Sequence, residues 1–289
     1  METTSPDEVA EYRRRSYVNW QAAAAGWERE HALVQATLRP VTEWMIDRLG
    51  PRPGEAIVEL GAGMGEVGME AARLVAPNGR VIVSDRAPGM VAAAQRRAAA
   101  LGLANVEARV LDLESIDLET GSVDGVLCRL ALMLVPDRAR AVGEVRRVLR
   151  AEGRAAFAVW AAAEENPWAT ALWDALEEEA VAPQTPAGGP GMFALADPAA
   201  IRRLLAGAGL EATAIEQIAV EWAFAGFAEY WRSQTTLNGG LARLLPVLAP
   251  ERQERIADVV RVAVERFRTA DGYRARGMVL GVLAVPAAG

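Results

Sequence analysis

Three carboxylates and a run of glycines carry the chemistry this sequence offers. Glu59 interrupts the apolar run Ala56-Ile57-Val58-Glu59-Leu60, immediately before Gly61-Ala62-Gly63-Met64-Gly65. Asp85 follows the apolar run Arg80 to Ser84, and Asp112, with Leu113 beside it, follows Val106 to Leu111. A carboxylate in an apolar strand is costly to bury unless it accepts hydrogen bonds or faces a cation. The glycines leave the backbone bare, so a ligand can approach the main chain, and a helix starting there adds unpaired N–H groups. Acids at three successive strand ends line the crevice in which open α/β sheets bind ligands. Asp85 then stands where both hydroxyls of a ribose can be held, and Asp112 where an exocyclic amine can be met while Leu113 packs on a purine. The stretch Gly63-Met64-Gly65-Glu66-Val67-Gly68 also satisfies the dinucleotide pattern G-x-G-x-x-G, although it begins well after the strand and the register set by Gly61 fails at Glu66. A nucleotide-type cofactor is expected, with a nicotinamide dinucleotide still open at this point.

Absent residue types narrow the chemistry further. The chain has no lysine, one cysteine (Cys128) and one histidine (His31). A phosphate-loop lysine, a Schiff-base lysine, a Cys/His zinc site and a disulfide are therefore all excluded, and no metal site is expected. His31 is the one side chain whose ordinary pKa lies near neutrality, which makes it the candidate general base, against a plain helix-packing role. Cys128 ends an apolar run and reads as a small core or cofactor-side residue rather than a nucleophile. The net charge of −7 argues against a nucleic-acid partner, which calls for a concentrated basic face. No apolar run approaches the roughly 20 residues of a membrane span, and the polar, acidic N-terminus does not resemble a signal segment, so a cytoplasmic protein is expected.

The elements that must position these residues alternate. With 289 residues, 52% of them hydrophobic, the chain can bury a substantial core. Helical spacing of Tyr17, Trp20, Ala24, Trp27, Val34 and Leu38 predicts an N-terminal helical segment over residues 1–50, with Pro40 dividing two helices. Gly50-Pro51-Arg52-Pro53-Gly54 then breaks the pattern. From there apolar strands (Ala56 to Leu60, Arg80 to Ser84, Val106 to Leu111, Val123 to Cys128 and Arg154 to Trp160) alternate with amphipathic helices. A turn is expected at Ala151-Glu152-Gly153. Such alternation predicts a doubly wound α/β core over residues 51–160 around a parallel sheet. Residues 161–289 are expected to complete the sheet, with a long strand from Glu211 to Phe224, a last strand from Arg276 to Val285, and helical insertions that cap the site. Within the Pro/Gly-rich loop Pro183 to Gly191, the stretch Gly188-Gly189-Pro190-Gly191 is a candidate lid edge, against an irregular surface loop.

At these residues the chain resembles class I S-adenosylmethionine (SAM)-dependent methyltransferases. The resemblance rests on Val58-Glu59-Leu60-Gly61-Ala62-Gly63-Met64-Gly65, Asp85, Asp112-Leu113 and Val123-Asp124-Gly125-Val126-Leu127, and it covers about Gly54 to Trp160. Within the class it is most similar to the branch holding the ubiquinone/menaquinone C-methyltransferases and many small-molecule methyltransferases. Phe193-Ala194-Leu195-Ala196-Asp197-Pro198 and the strand after Gly209 are similar to that branch's tail.

The resemblance implies a Rossmann-like seven-stranded sheet of order 3-2-1-4-5-7-6 with the last strand antiparallel. It also implies SAM as cofactor, S-adenosylhomocysteine as product, and in-line displacement onto O, N or C of a small acceptor, with specialised metabolism as a setting. Carried over, Gly61, Ala62, Gly63 and Gly65 face the methionine and ribose portions, and Asp85 holds the ribose. Glu59 steadies the loop and the amino group, and Asp112 and Leu113 bind adenine. Met90, Cys128, Arg129 and Leu130 lie beside the cofactor, as does Arg86, which replaces the small polar residue of many relatives. The aromatic residues Tyr17, Trp20, Trp27, Trp160, Phe193 and Trp231 fall outside the strand motifs and are the candidates for an apolar acceptor pocket. A nicotinamide-dependent oxidoreductase and a non-catalytic SAM-binding regulator are the alternatives. A homodimer stays open.

Overall fold

Five parallel strands and the helices between them set the frame of the computed structural model, which describes residues 6–180 and 189–287. Two helices come first, α1 (Pro6–Arg29) and α2 (His31–Leu49). They are followed by β1 (Ala56–Leu60), α3 (Glu66–Val75), β2 (Arg80–Asp85), α4 (Pro88–Ala100), β3 (Val106–Val110), β4 (Val123–Arg129), α5 (Arg138–Val148) and β5 (Leu149–Trp160). The remainder is α6 (Pro167–Glu178), α7 (Pro198–Gly207), β6 (Leu210–Phe224), α8 (Phe227–Leu237), α9 (Gly239–Leu244), α10 (Pro250–Val264), β7 (Arg268–Thr269) and β8 (Gly272–Pro286).

The strands form one sheet of order β3-β2-β1-β4-β5-β8-β6. Pairings from β3 through β5 are parallel, and β8 runs antiparallel to both β5 and β6. The expected seven-stranded order needs one correction. A two-residue strand, β7, pairs with β8 across the turn Ala270-Asp271, so the sheet has eight strands and the expected seventh is β8. Every residue of β1 is buried, as a strand covered on both faces requires.

The two faces can be read from neighbouring positions of β8. A side chain at Gly281 would press on the Trp44 ring of α2, whereas Val282 shares a small apolar space with Ile201, Leu204 and Leu205 of α7. Successive strand residues point to opposite faces, so α2 and α7 cover opposite sides. The Trp44 ring packs against the bare Gly281, where a Cβ would stand 2.7 Å from it, and its indole N–H donates to Glu216 at 3.0 Å.

Two local expectations are corrected. Pro40 does not divide the N-terminal helices: it lies inside α2, and the break falls earlier, at Glu30. An internal proline costs a helix about 3 kcal/mol, but Leu38, Val41 and Met45 on either side are buried in the main core and offset it. Glu30 itself is buried and receives Arg232 of α8 at 2.9 Å, which fixes the corner. The turn expected at Ala151-Glu152-Gly153 is part of β5, where the register with β4 slips between Val123 and Gly125. Exposed polar residues at an irregular strand end give the same local pattern as a turn. Of the expected lid edge, Gly188 lies outside the described residues.

Candidate functional site

The glycine loop leaves β1 at its C-terminal end and is tied to the next strand by backbone and side chain together. The Ala62 amide donates to Ser84 O at 2.8 Å, and Gly65 N–H donates to Ala62 O at 2.9 Å. Asp85 completes the tie, with Oδ2 accepting from the Gly63 amide at 3.0 Å and Oδ1 from the Ala87 amide at 2.9 Å. Gly61 and Gly63 both hold the left-handed conformation, with φ of +59° and +54°. Their surroundings differ: a Cβ on Gly61 would collide with Ala131, whereas one on Gly63 would meet nothing within 4 Å. The loop is therefore packed at its first glycine and open at its second.

Glu59 lies beneath this loop. Its carboxylate is buried and accepts the Gly68 amide at 2.8 Å, and a Cβ on Gly68 would stand 2.7 Å from the same oxygen. Burial pushes its pKa up to about 7, against the opposing pull of Arg129 and the α3 amides. Glu59 braces the start of α3 and does not line the pocket above it.

That pocket opens at the C-terminal ends of β1, β2 and β4, the ligand crevice of open α/β sheets. Gly61, Ala62, Gly63, Asp85, Arg86, Met90, Asp112 and Leu113 line one side, and Arg129 stands at the end of β4. The Glu114 amide donates to Asp112 Oδ1 at 2.9 Å, and Arg86 stands 3.9 Å from Asp112 Oδ2. The Arg86 Nε–H is buried without a partner among the described residues. Burial raises the Asp85 pKa, with the Ala87 and Gly63 amides opposing.

Helices α1 and α2 roof the pocket with Ser16, Trp20, Trp27 and Leu38. The two indoles lie 5.9 Å apart and pack with Ala87 and Met90 at the start of α4. Trp27 is further fixed by donating its indole N–H to Leu237 O at 3.0 Å. The roof is fastened outside by Arg13, which holds Glu114 through two bonds of 2.9 and 2.7 Å, and by Tyr12, whose hydroxyl donates to Leu134 O at 3.0 Å.

Other expected site residues are placed elsewhere. His31 does not reach the pocket lining; its Nε2 meets Glu66, and Arg97 bonds the same carboxylate at 3.1 Å, joining the starts of α2 and α3 to α4. Cys128 is fully buried in the core, and burial pushes its thiol up to about 12, which leaves it unreactive. Gly65 lies below the pocket against Met69 and Val83. Among the aromatics, Trp160 is in the core with its ring 5.3 Å from Trp168, Trp231 stacks on Phe227, Phe193 packs against the core, and Tyr17 faces outward. Of the six aromatics expected at an acceptor pocket, Trp20 and Trp27 line this one, and the other four lie against the core or on the surface.

Leu130, expected beside the cofactor with Cys128 and Arg129, lines the remaining wall together with residues missed in the sequence: Glu114, Ala131, Leu134, Val135 and Pro136. Leu130 has φ of +58°, unusual for a branched side chain, and such outliers gather at functional sites. Glu114 gave a signal, as an acid directly after Asp112-Leu113, but its burial is settled only by Arg13 arriving from α1.

A nucleotide-type crevice of a doubly wound sheet, with acids at the ends of its strands, is the class that fold and site define. The model of the family described as "Methyltransferase domain" matches residues 51–209, more than half of the chain, and the chain belongs to that family. Among curated relatives, the nocamycin O-methyltransferase of Saccharothrix syringae is 36% identical over 116 residues, covering 40% of this chain and 41% of that one. The aklanonic acid methyltransferase DauC of Streptomyces sp. (strain C5) is 31% identical over 118 residues, 41% of this chain and 54% of that one. The chain thus spans about half or less of the length of these relatives. A geranyl diphosphate methyltransferase solved in complex with SAM shares the fold, with a TM-score of 0.51, 19% identity, and coverage of 86% of this chain and 84% of that one. The family implies SAM, and the residues present fit it: an open glycine cradle at Gly63, Asp85 bonded beside it, Asp112-Leu113 at the neighbouring strand end, and an unpartnered Arg86 N–H.

Proposed function

We propose that the chain is a SAM-dependent methyltransferase acting on a small, mostly apolar or aromatic acceptor. The observation that carries this is the convergence of the glycine loop, Asp85 and Asp112-Leu113 on one pocket roofed by Trp20 and Trp27. When bound, the cofactor supplies a methyl group already activated on a sulfonium. Asp85, whose oxygens each take one amide, has lone pairs left for ribose hydroxyls. Asp112 would accept from the exocyclic amine, and Leu113 and Met90 would pack on the purine. Trp20, Trp27 and Leu38 exclude water and hold the acceptor against the cradle.

Neither a histidine nor a lysine lines the pocket, and Glu114 is held by Arg13 and the Asp137 amide. Rate then comes from orientation and water exclusion, at effective molarities on the order of 10⁵ M. The relatives named for nocamycin and aklanonic acid support an acceptor drawn from specialised metabolism. Incubation with methyl-labelled SAM and a panel of phenols, enols, carboxylic acids and amines tests this. Labelled product with stoichiometric S-adenosylhomocysteine is expected. Oxidation of substrate with NAD, and no methyl transfer to any acceptor, would replace this reading with an oxidoreductase.

A further inference from the structure

The charged side chains that line the pocket are not equivalent. Asp85 is bonded to two loop amides, Asp112 faces Arg86, and Glu114 is held by Arg13. Arg129, at the end of β4, has no such counterpart. Its Nη1 donates to the Thr42 hydroxyl at 2.7 Å, and among the described residues no carboxylate forms an ion pair with it. The acids that act on it, Glu59, Glu66 and Glu70, do so from a distance, and the Glu59 carboxylate is already bonded to the Gly68 amide.

A guanidinium offers five N–H donors in a fixed fork matched to carboxylate geometry, and Thr42 uses one of them. Thr42 is itself buried on α2, so it sets the direction of the group. The neighbouring lining is apolar, with Leu38, Leu130, Ala131 and Trp27, and a charge–charge contact there is screened less than in water. A desolvated cation that lines a pocket with one side-chain partner is costly unless an anion arrives to meet it.

We propose that Arg129, held by Thr42, is the carboxylate-binding residue of this pocket. The proposal rests on the methyltransferase reading, and the acid has two sources: the α-carboxylate at the amino-acid end of the cofactor, or an acid group on the acceptor. Calorimetry on the full chain separates them, comparing S-adenosylhomocysteine with its decarboxylated analogue S-adenosyl-3-thiopropylamine, and titrating benzoate into the S-adenosylhomocysteine complex.

If the cofactor supplies the acid, the wild-type protein prefers S-adenosylhomocysteine by roughly 10–100-fold. Arg129→Met then erases the preference while leaving the decarboxylated ligand within about threefold. If the acceptor supplies it, the preference survives in Arg129→Met, but benzoate binding to the complex is lost. Arg129→Met that keeps both the preference and benzoate binding overturns the proposal. Arg129→Lys, which keeps the charge without the fork, and Thr42→Val, which frees the guanidinium, each give a partial loss of the same readout, so a misfolded Met variant does not end the test. Failure of the wild-type protein to bind either adenosyl ligand is a different result, and it would overturn the methyltransferase reading beneath the proposal.

Discussion

The Gly63 amide donates to Asp85 Oδ2 at 3.0 Å, so the carboxylate that closes β2 also holds the loop that leaves β1. The bond joins two strand ends that are adjacent and parallel in the sheet. It orients a left-handed glycine whose Cα faces open space, and it leaves the carboxylate lone pairs for a ligand.

Asp85 is expected to matter more for the cradle than its charge alone suggests. Asp85→Ala leaves the Gly63 and Ala87 amides without their acceptor, and S-adenosylhomocysteine affinity should fall by about 1–3 kcal/mol, roughly 10–100-fold. Asp85→Asn keeps one acceptor oxygen and should lose less. Calorimetry that returned wild-type affinity for both variants would remove Asp85 from the site.

The two glycines should separate stability from binding. Gly61→Ala places a Cβ against Ala131 at positive φ and should destabilise the fold by about 1–3 kcal/mol, seen as a lower thermal midpoint. Gly63→Ala meets no protein atom, costs about 1–2 kcal/mol of backbone strain, and should cut ligand affinity by more than it cuts stability, because the added methyl projects into open space beside the cradle. Equal losses of stability and of affinity in both variants would contradict this division.

A pH dependence follows from Glu59. Its pKa rises from the ordinary 4.5 to about 7 in the folded protein because burial disfavours the charged form. A folded-state pKa above the unfolded one means that the stability contributed by this group is complete below about 4.5 and is lost as pH rises toward about 7. Glu59→Gln stays neutral and keeps an oxygen for the Gly68 amide. Wild-type stability relative to Glu59→Gln should decline across that window by on the order of 1 kcal/mol per pH unit, and level off above it. Denaturant titrations at pH 5, 6, 7 and 8 check this, and a difference that stays flat with pH would show that Glu59 does not titrate there.

His31 is expected to act in the fold rather than in the chemistry. Its ring is engaged by Glu66 and lies away from the pocket lining, so His31→Gln should lower the thermal midpoint by a few degrees while S-adenosylhomocysteine affinity stays within about threefold. A tenfold or greater loss of turnover at unchanged thermal midpoint would return His31 to the mechanism.

Much of the cofactor side was legible because its signals are local. A strand broken by glycines, and acids at the ends of consecutive apolar runs, need only nearest neighbours to be recognised, and Gly61, Asp85, Asp112 and Leu113 do converge on one pocket. Trp20 and Trp27 were legible as aromatics on one helix, but nothing local distinguished them from Trp160 or Trp231, which the sheet and α8 draw elsewhere. His31 drew attention through rarity, whereas its position is decided by Glu66 and Arg97 on two other helices. Ala131, Leu134, Val135 and Pro136 carry no polar signature, and only their place after β4 makes them a wall. Pro40 misled for the opposite reason: a strong local signal was overridden by the buried residues on either side of it.

Calorimetric titration of the wild-type protein with S-adenosylhomocysteine and, separately, with NADH tests the central claim most directly. Saturable one-to-one binding of S-adenosylhomocysteine, weakened in Asp85→Ala, with no response to NADH, is the predicted result. Binding of NADH without S-adenosylhomocysteine would contradict it.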